Sequence, residues 1–207
     1  SGEITTPTVK ANAELTNAEN STITATNGSV TVGANLTTSG EITSDTVLAT
    51  GDLENNGILN ATTSVEATNI TNAGEITTPT VKTTADLTNA ENATITATNG
   101  SVTVGANLTN AGEITSDAVL AIGDLSNDGL MNVATTNVGG NLTDNGTWNS
   151  DGIINFVGTN DQSFDSNPST TYVLINVEKT GGILTLANDL NAKDFVLKGG
   201  DLFINKT

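Results

Sequence analysis

The 207-residue chain contains no cysteine, no histidine and no arginine, and its only basic side chains are six lysines. Without cysteine or histidine there is no thiolate or imidazole metal centre, no disulfide framework and no Ser-His-Asp or Cys-His nucleophile. Without arginine there is no planar fork for phosphate or carboxylate. Aromatic residues make up 3% of the chain and charged residues 14%, so a large conventional core lacks bulk. Twenty-three acids against six scattered lysines give a formal charge of −17, which repels nucleic acid and anionic membrane surfaces alike. No apolar run approaches the roughly 18 residues of a membrane span. The composition therefore predicts no enzyme, no nucleic-acid partner and no direct membrane insertion.

What the chain has instead is threonine (39), asparagine (28) and glycine (21). Its apolar residues are spaced regularly, a pattern a solvated coil does not need. Gly2-Glu3-Ile4-Thr5-Thr6-Pro7-Thr8-Val9-Lys10 recurs as Gly74-Glu75-Ile76-Thr77-Thr78-Pro79-Thr80-Val81-Lys82, a period of 72 residues, and residues 2–60 match residues 74–132 at 47 of 59 positions. Each cassette contains a shorter unit of 17–20 residues, beginning at Gly2, Asn20, Gly40 and Gly57 and again at Gly74, Asn92, Gly112 and Gly129.

Aligned, these units give three apolar columns that no polar residue is expected to enter. The first runs Ile4, Ile23, Ile42, Leu59, Ile76, Ile95, Ile114, Met131 and Trp148; the second Val9, Val30 or Val32, Val47, Val65, Val81, Val102 or Val104, Val119 and Val138; the third Leu15, Leu36, Leu53, Ile70, Leu87, Leu108, Leu125 and Leu142. No helical stripe is maintained, and β-branched residues and threonine dominate, so the contacts read as short strands. A unit this short that returns like residues to like positions predicts one coil of a β-solenoid, a right-handed parallel β-helix by the handedness of parallel crossovers. Asn27-Gly28, Asn55-Asn56-Gly57 and Asn127-Asp128-Gly129 are expected corners, on the ground that Gly and Asn tolerate positive φ. A single coil buries too little to offset its own ordering entropy, so stability must come from stacking. About eleven coils at roughly 4.8 Å would give a rod on the order of 50 Å long.

The expected organisation is a regular solenoid over residues 1–145 and a divergent section with a wider core over 146–207, with a longer loop near 160–171. The divergent section holds every aromatic residue: Trp148, Phe156, Phe164, Tyr172, Phe195 and Phe203. The chain opens Ser1-Gly2-Glu3, with no start methionine or signal peptide, and Thr207 falls within a coil, so a longer natural polypeptide is expected.

Gly51-Asp52-Leu53-Glu54-Asn55-Asn56-Gly57-Ile58 and its copy Gly123-Asp124-Leu125-Ser126-Asn127-Asp128-Gly129-Leu130 resemble the G-D-L-x-N-x-G-x-[IL] repeats of filamentous-haemagglutinin-type adhesins. Asn145-Gly146-Thr147-Trp148, Gly152-Ile153-Ile154-Asn155-Phe156-Val157-Gly158 and the stretch Tyr172 to Gly182 are similar to segments of type IX-secreted surface proteins of gliding bacteria. The resemblance implies a right-handed parallel β-helix in a large secreted protein of the bacterial cell surface, an adhesin or fibre. It carries no catalytic residue across.

Carboxylates are the abundant ionisable groups. Glu3, Glu41, Glu75 and Glu113 recur at one coil position, but no basic partner accompanies them, and they read as a solvated face rather than a lyase or hydrolase site. Asp52, Asp124, Asp128, Asp144 and Asp151 lie at turns whose oxygen ligands suit calcium. Neither an EF-hand loop nor a G-G-x-G-x-D nonapeptide is present, so no cofactor, metal site or catalytic residue is assigned, with calcium left open. The outward column Thr5, Thr24, Thr43, Asn60, Thr77, Thr96, Thr115, Asn132 and Asn149 suggests an ice-binding ladder. The column two residues on, with Pro7, Asp45, Pro79, Asp117 and Ala134, interrupts it and favours an ordinary solvated strand face. Sequons such as Asn35-Leu36-Thr37 and Asn107-Leu108-Thr109 follow from the composition. Lys10 and Lys82 are expected to balance neighbouring acids. The function expected is a stalk or repeat segment of a secreted surface adhesin or fibre. The alternatives are an end-to-end filament subunit and an ice-binding solenoid, and the partners expected are adjoining repeats, other copies and a surface ligand.

Overall fold

The computed structural model describes residues 2–149 and 151–204, and every regular element among them is a β-strand. Twenty-three strands form one sheet in which strands pair in parallel with their equivalents in the neighbouring coils. This is a β-solenoid of about eleven turns. A coil has three strand segments, as in Glu3–Thr5, Val9–Ala11 and Leu15–Asn17. In the next coil the first two segments merge into one bent strand, Thr22–Val32, followed by Leu36–Thr38. Alternating side chains along each segment point inward, and the inward sets of successive coils stack.

The first and third apolar columns form as the sequence predicts. Ile4 pairs with Ile23, Ile23 with Ile42 and Ile42 with Leu59, and Leu15, Leu36, Leu53 and Ile70 follow one another in register. The second column differs. It runs through Val30 and Val102, and above Val119 it continues into Thr136, then Ile154, Ile175 and Phe195. Val32, Val104 and Val138 belong to a fourth column of small side chains, with Ala11, Ala49, Ala67, Thr83 and Ala121, that widens into Phe156. A polar residue therefore does enter the core: Thr136 is fully buried, and its hydroxyl has no hydrogen-bond partner among the described residues. Threonine and valine have nearly the same shape, so Thr136→Val removes only the desolvation cost of the hydroxyl. The variant is expected to be about 1 kcal/mol more stable in denaturant unfolding; equal or lower stability would show that the hydroxyl is satisfied.

The corners correct a second expectation. At Asn27 and Asn99, asparagine does adopt the left-handed conformation (φ 53° and 54°), beside register shifts between Ala25 and Ser29 and between Ala97 and Ser101. Gly28, Gly57 and Gly129 do not have positive φ. They are glycine because neighbouring backbone leaves no room: a Cβ on Gly28 would lie 1.7 Å from the Pro7 carbonyl oxygen.

Past Asp144 the stack continues through Thr147–Trp148, Ile153–Gly158, Gln162–Asp165, Tyr172–Leu186 and Ala192–Ile204. The stretch expected as a loop over 160–171 contains the strand Gln162–Asp165, which pairs with Leu142–Asp144 on one side and Tyr172–Leu186 on the other. Phe164 continues the leucine column there, as Leu142 pairs with Phe164 and Phe164 with Leu186. Phe164 packs edge-on against Tyr172 and tilted against Phe156, both with ring centroids 5.3 Å apart, and Trp148 meets Tyr172 at 6.4 Å. These rings fill the core where the aliphatic columns give out.

Candidate functional site

The outward Thr/Asn column is in register from Thr5 to Asn132. Asn149 joins it by donating its amide to Asn132 Oδ1 at 2.9 Å. The glutamates stand two positions earlier, but only in every second coil: Thr22 separates Glu3 from Glu41, Ile58 separates Glu41 from Glu75, and Thr94 separates Glu75 from Glu113. Two coils put these carboxylates about 10 Å apart along the axis, which limits their mutual repulsion. Each accepts a hydrogen bond from the threonine two residues on, Thr5 to Glu3 at 3.0 Å and Thr115 to Glu113 at 3.1 Å among them.

The turn aspartates are not brought together. Asp124 Oδ1 accepts the backbone N–H of Asn141 at 2.7 Å, and Asp52 Oδ1 accepts the side-chain amide of Asn69 at 2.8 Å. The same corner column repeats the device with asparagine: Asn35 accepts the N–H of Asp52, and Asn107 that of Asp124. Asp128 takes the amide of Asn145, Asp144 is buried, and Asp151 is exposed. Among the described residues no three His, Cys, Asp or Glu side chains are grouped in a way that could hold a metal ion. Lys82 stands in register beside Glu66, and Lys10 beside Thr31. The one ion pair among the described residues is Lys198 with Glu178.

The structure also shows an interior feature that the column reading passed over. Two residues after each leucine of the third column, a polar side chain points inward: Asn17, Thr38, Asn55, Asn72, Asn89, Asn110, Asn127 and Asp144, all buried. From Asn55 onward each Nδ2 donates to the Oδ1 of the next coil, at 2.7–2.9 Å. Each of these amides also donates to a backbone carbonyl further along the stack, as Asn72 does to Thr94 O at 2.9 Å and Asn89 to Glu113 O at 3.0 Å. The amides point one way along the axis, so each polarises the next. Asparagine is suited to the position because one side chain both donates and accepts. The Leu-x-Asn spacing is visible in the sequence, but asparagine beside glycine reads first as a turn.

The ladder ends where its chemistry reverses. Asp144, with acceptors only, receives Asn127 Nδ2 at 2.8 Å from one side and the Tyr172 hydroxyl at 2.5 Å from the other. Tyr172 accepts the N–H of Asn167 at 3.1 Å. Burial, and then the hydrogen bond to Asp144, hold the Tyr172 phenol well above its ordinary value of 10.0. In the unfolded chain it would ionise near 10, so the folded state keeps a proton that the unfolded state loses, and stability falls as pH rises above that value. Lys179 acts in the opposite sense. It is buried, it donates to Asn160 O at 2.6 Å and to Gln162 Oε1 at 2.5 Å, and desolvation lowers its pKa while Asp161 partly raises it. Tyr172 is the only tyrosine, so an ultraviolet alkaline titration reports it alone. The phenolate signal is expected to appear together with loss of the β-sheet circular dichroism; ionisation near pH 10 in protein that is still folded would contradict the buried pair.

The surface offers shallow grooves, such as one of about 340 Å³ along Asn35, Thr37, Asp52, Glu54 and Thr71 and one of about 240 Å³ along Thr98, Asp117, Asn132 and Asn149. Both are lined by polar and apolar atoms in nearly equal measure and follow the coil spacing. Comparison with protein-family models, with curated proteins and with solved structures finds no match for this chain.

Proposed function

We propose that the chain is a stalk segment of a secreted, cell-surface adhesin or fibre, in which the stacked coils act as a stiff spacer. The observation that supports this most directly is axial continuity: the apolar columns and the ladder positions pass in register from the first cassette into the second, Leu59 to Ile76, Val65 to Val81, Ile70 to Leu87 and Asn72 to Asn89. Bending such a stack opens contacts between coils, and a rod of this kind holds apart whatever lies at its ends. The formal charge of −17 opposes lateral clumping. Secretion, the cell surface and the adhesin assignment rest on the repeat resemblance described above.

An end-to-end filament subunit is the second reading, and one observation favours it. The outermost coils expose core positions, with Ile4 47% and Ile204 58% accessible, beside strand edges that have no partner among the described residues of a single copy. The ice-binding reading has less support, because Pro7, Asp45, Pro79 and Asp117 break the rank beside the threonine column. Electron microscopy of the purified chain separates the readings. Monodisperse rods roughly 50 Å long support the spacer and filaments support self-assembly, while thermal hysteresis would restore the ice surface. Expanded or globular particles would overturn both structural readings.

A further inference from the structure

We infer that residues 57–128 are a self-contained length module, which the stack can take up again as a whole without any new kind of contact. The inference comes from the identity of two junctions, not from the repeat alone. The coil before residue 57 presents Ile42, Ser44, Val47, Ala49, Leu53 and Asn55 inward, all buried. The coil ending at Asn127 presents Ile114, Ser116, Val119, Ala121, Leu125 and Asn127, all buried and residue for residue the same. The first set is followed in register by Leu59, Val65 and Ile70, and the second by Met131, Thr136 and Leu142. Either coil can therefore be followed by the coil that follows the other. The ladder continues across both junctions, through Asn55 to Asn72 and Asn127 to Asp144.

The differences between these two coils lie on the outside: Thr46 against Ala118, Thr50 against Ile122, Glu54 against Ser126 and Asn56 against Asp128, none of them buried. The corners agree as well. Gly57 and Gly129 each approach the carbonyl of the preceding coil's glycine, at 2.1 and 2.0 Å from the position of an added Cβ. A second copy of residues 57–128 inserted after Asp128 would thus bury only pairs of side chains that the native stack already buries. Because each coil contacts only its neighbours, energies at the two ends are unaffected.

The test keeps every native residue and adds to it. The chain with this insertion is compared with the parent and with a control insertion of residues 57–121, which lacks the third strand of its last coil. The full module is expected to give one cooperative thermal transition at or above the parent midpoint. The maximum dimension in solution scattering should grow by about 19 Å, four coils of strand spacing. The control is expected to lose the cooperative transition. A full insertion that melts as low as the control, one that leaves the maximum dimension unchanged, or a control that performs as well as the full module would each overturn the inference.

Discussion

Replacing Asn72 by leucine is expected to cost about 4 kcal/mol in denaturant unfolding, although leucine is of similar size and apolar. Asn72 Nδ2 donates to Gly74 O at 3.1 Å, Asn89 Oδ1 at 2.8 Å and Thr94 O at 2.9 Å, and its Oδ1 accepts Asn55 Nδ2 at 2.7 Å. Leucine leaves Asn89 Oδ1 without its donor and Asn55 Nδ2 without one of its acceptors, both out of reach of water. Each such loss costs about 1–3 kcal/mol. Threonine is the informative control, since Thr38 occupies the equivalent place, accepting Asn17 Nδ2 at 3.1 Å and donating to Gly40 O at 3.3 Å. Asn72→Thr keeps the bond from Asn55 Nδ2 and the one to Gly74 O and loses those to Asn89 Oδ1 and Thr94 O, so a loss of about 2–3 kcal/mol is expected, smaller than that of leucine. Thr38→Asn makes the converse change, toward the Asn110 of the second cassette, and would let the ladder run on to Asn55; a gain of about 1 kcal/mol is expected. If Asn72→Leu unfolds within 1 kcal/mol of the parent, the ladder contributes nothing beyond filling space.

The ladder shows what kind of information the sequence carries openly and what kind it conceals. Bulky aliphatic residues at a fixed period announced two of the inward columns, because in so polar a chain a regularly spaced aliphatic side chain has little reason to recur except burial. The fourth column did not stand out. Ala11, Ala49, Ala67, Thr83 and Ala121 are small, alanine, threonine and valine share the position, and only the paired strands reveal that they stack. Thr136 was hidden by Val138 two residues on, which faces inward on the same side but belongs to the fourth column, and which offered a better match to a valine column. At Asn55 and Asn127 the usual association of asparagine with turns prevailed over periodicity, since an amide buried in a ladder and one solvated at a corner look alike in a sequence. The strand Gln162–Asp165 was missed because its inward residues are a glutamine and a phenylalanine, and the glutamine is buried only through its bonds to Val138 O, Gly140 O and Lys179. The outward faces could be read almost completely, while their role could not, because a solvated strand face constrains its residues weakly.

Gly129→Ala should destabilise the chain by about 3 kcal/mol or more, from the addition of one methyl group at a corner that is mostly in solvent. The added carbon would lie 2.0 Å from the carbonyl oxygen of Gly112, and that oxygen is held by the N–H of Leu130 at 2.8 Å. Relief requires breaking the hydrogen bond or separating two coils that are paired along all three strand segments. The same collision recurs up the stack, at Gly57 against Gly40, at Gly74 against Gly57 and at Gly146 against Gly129. The φ angle is not the constraint here, since none of these glycines is left-handed. The protein itself supplies the rescue. In two coils the column holds Ser21 and Ala93 instead of glycine, and there the corner is longer, with Asn20 and Asn92 in the left-handed conformation (φ 58° and 63°) and a turn closed by Ser21 N–H to Ala18 O and Ala93 N–H to Ala90 O. The extra residues carry the chain around the carbonyl below. Exchanging Asp128-Gly129 for Ala-Glu-Asn-Ala, the corner at residues 90–93, should therefore recover most of the stability that Gly129→Ala loses, even though it also puts alanine at the glycine position. Thermal unfolding of the three chains decides the matter: equal loss in both variants would mean that glycine is needed there for its backbone freedom and not for the space it leaves.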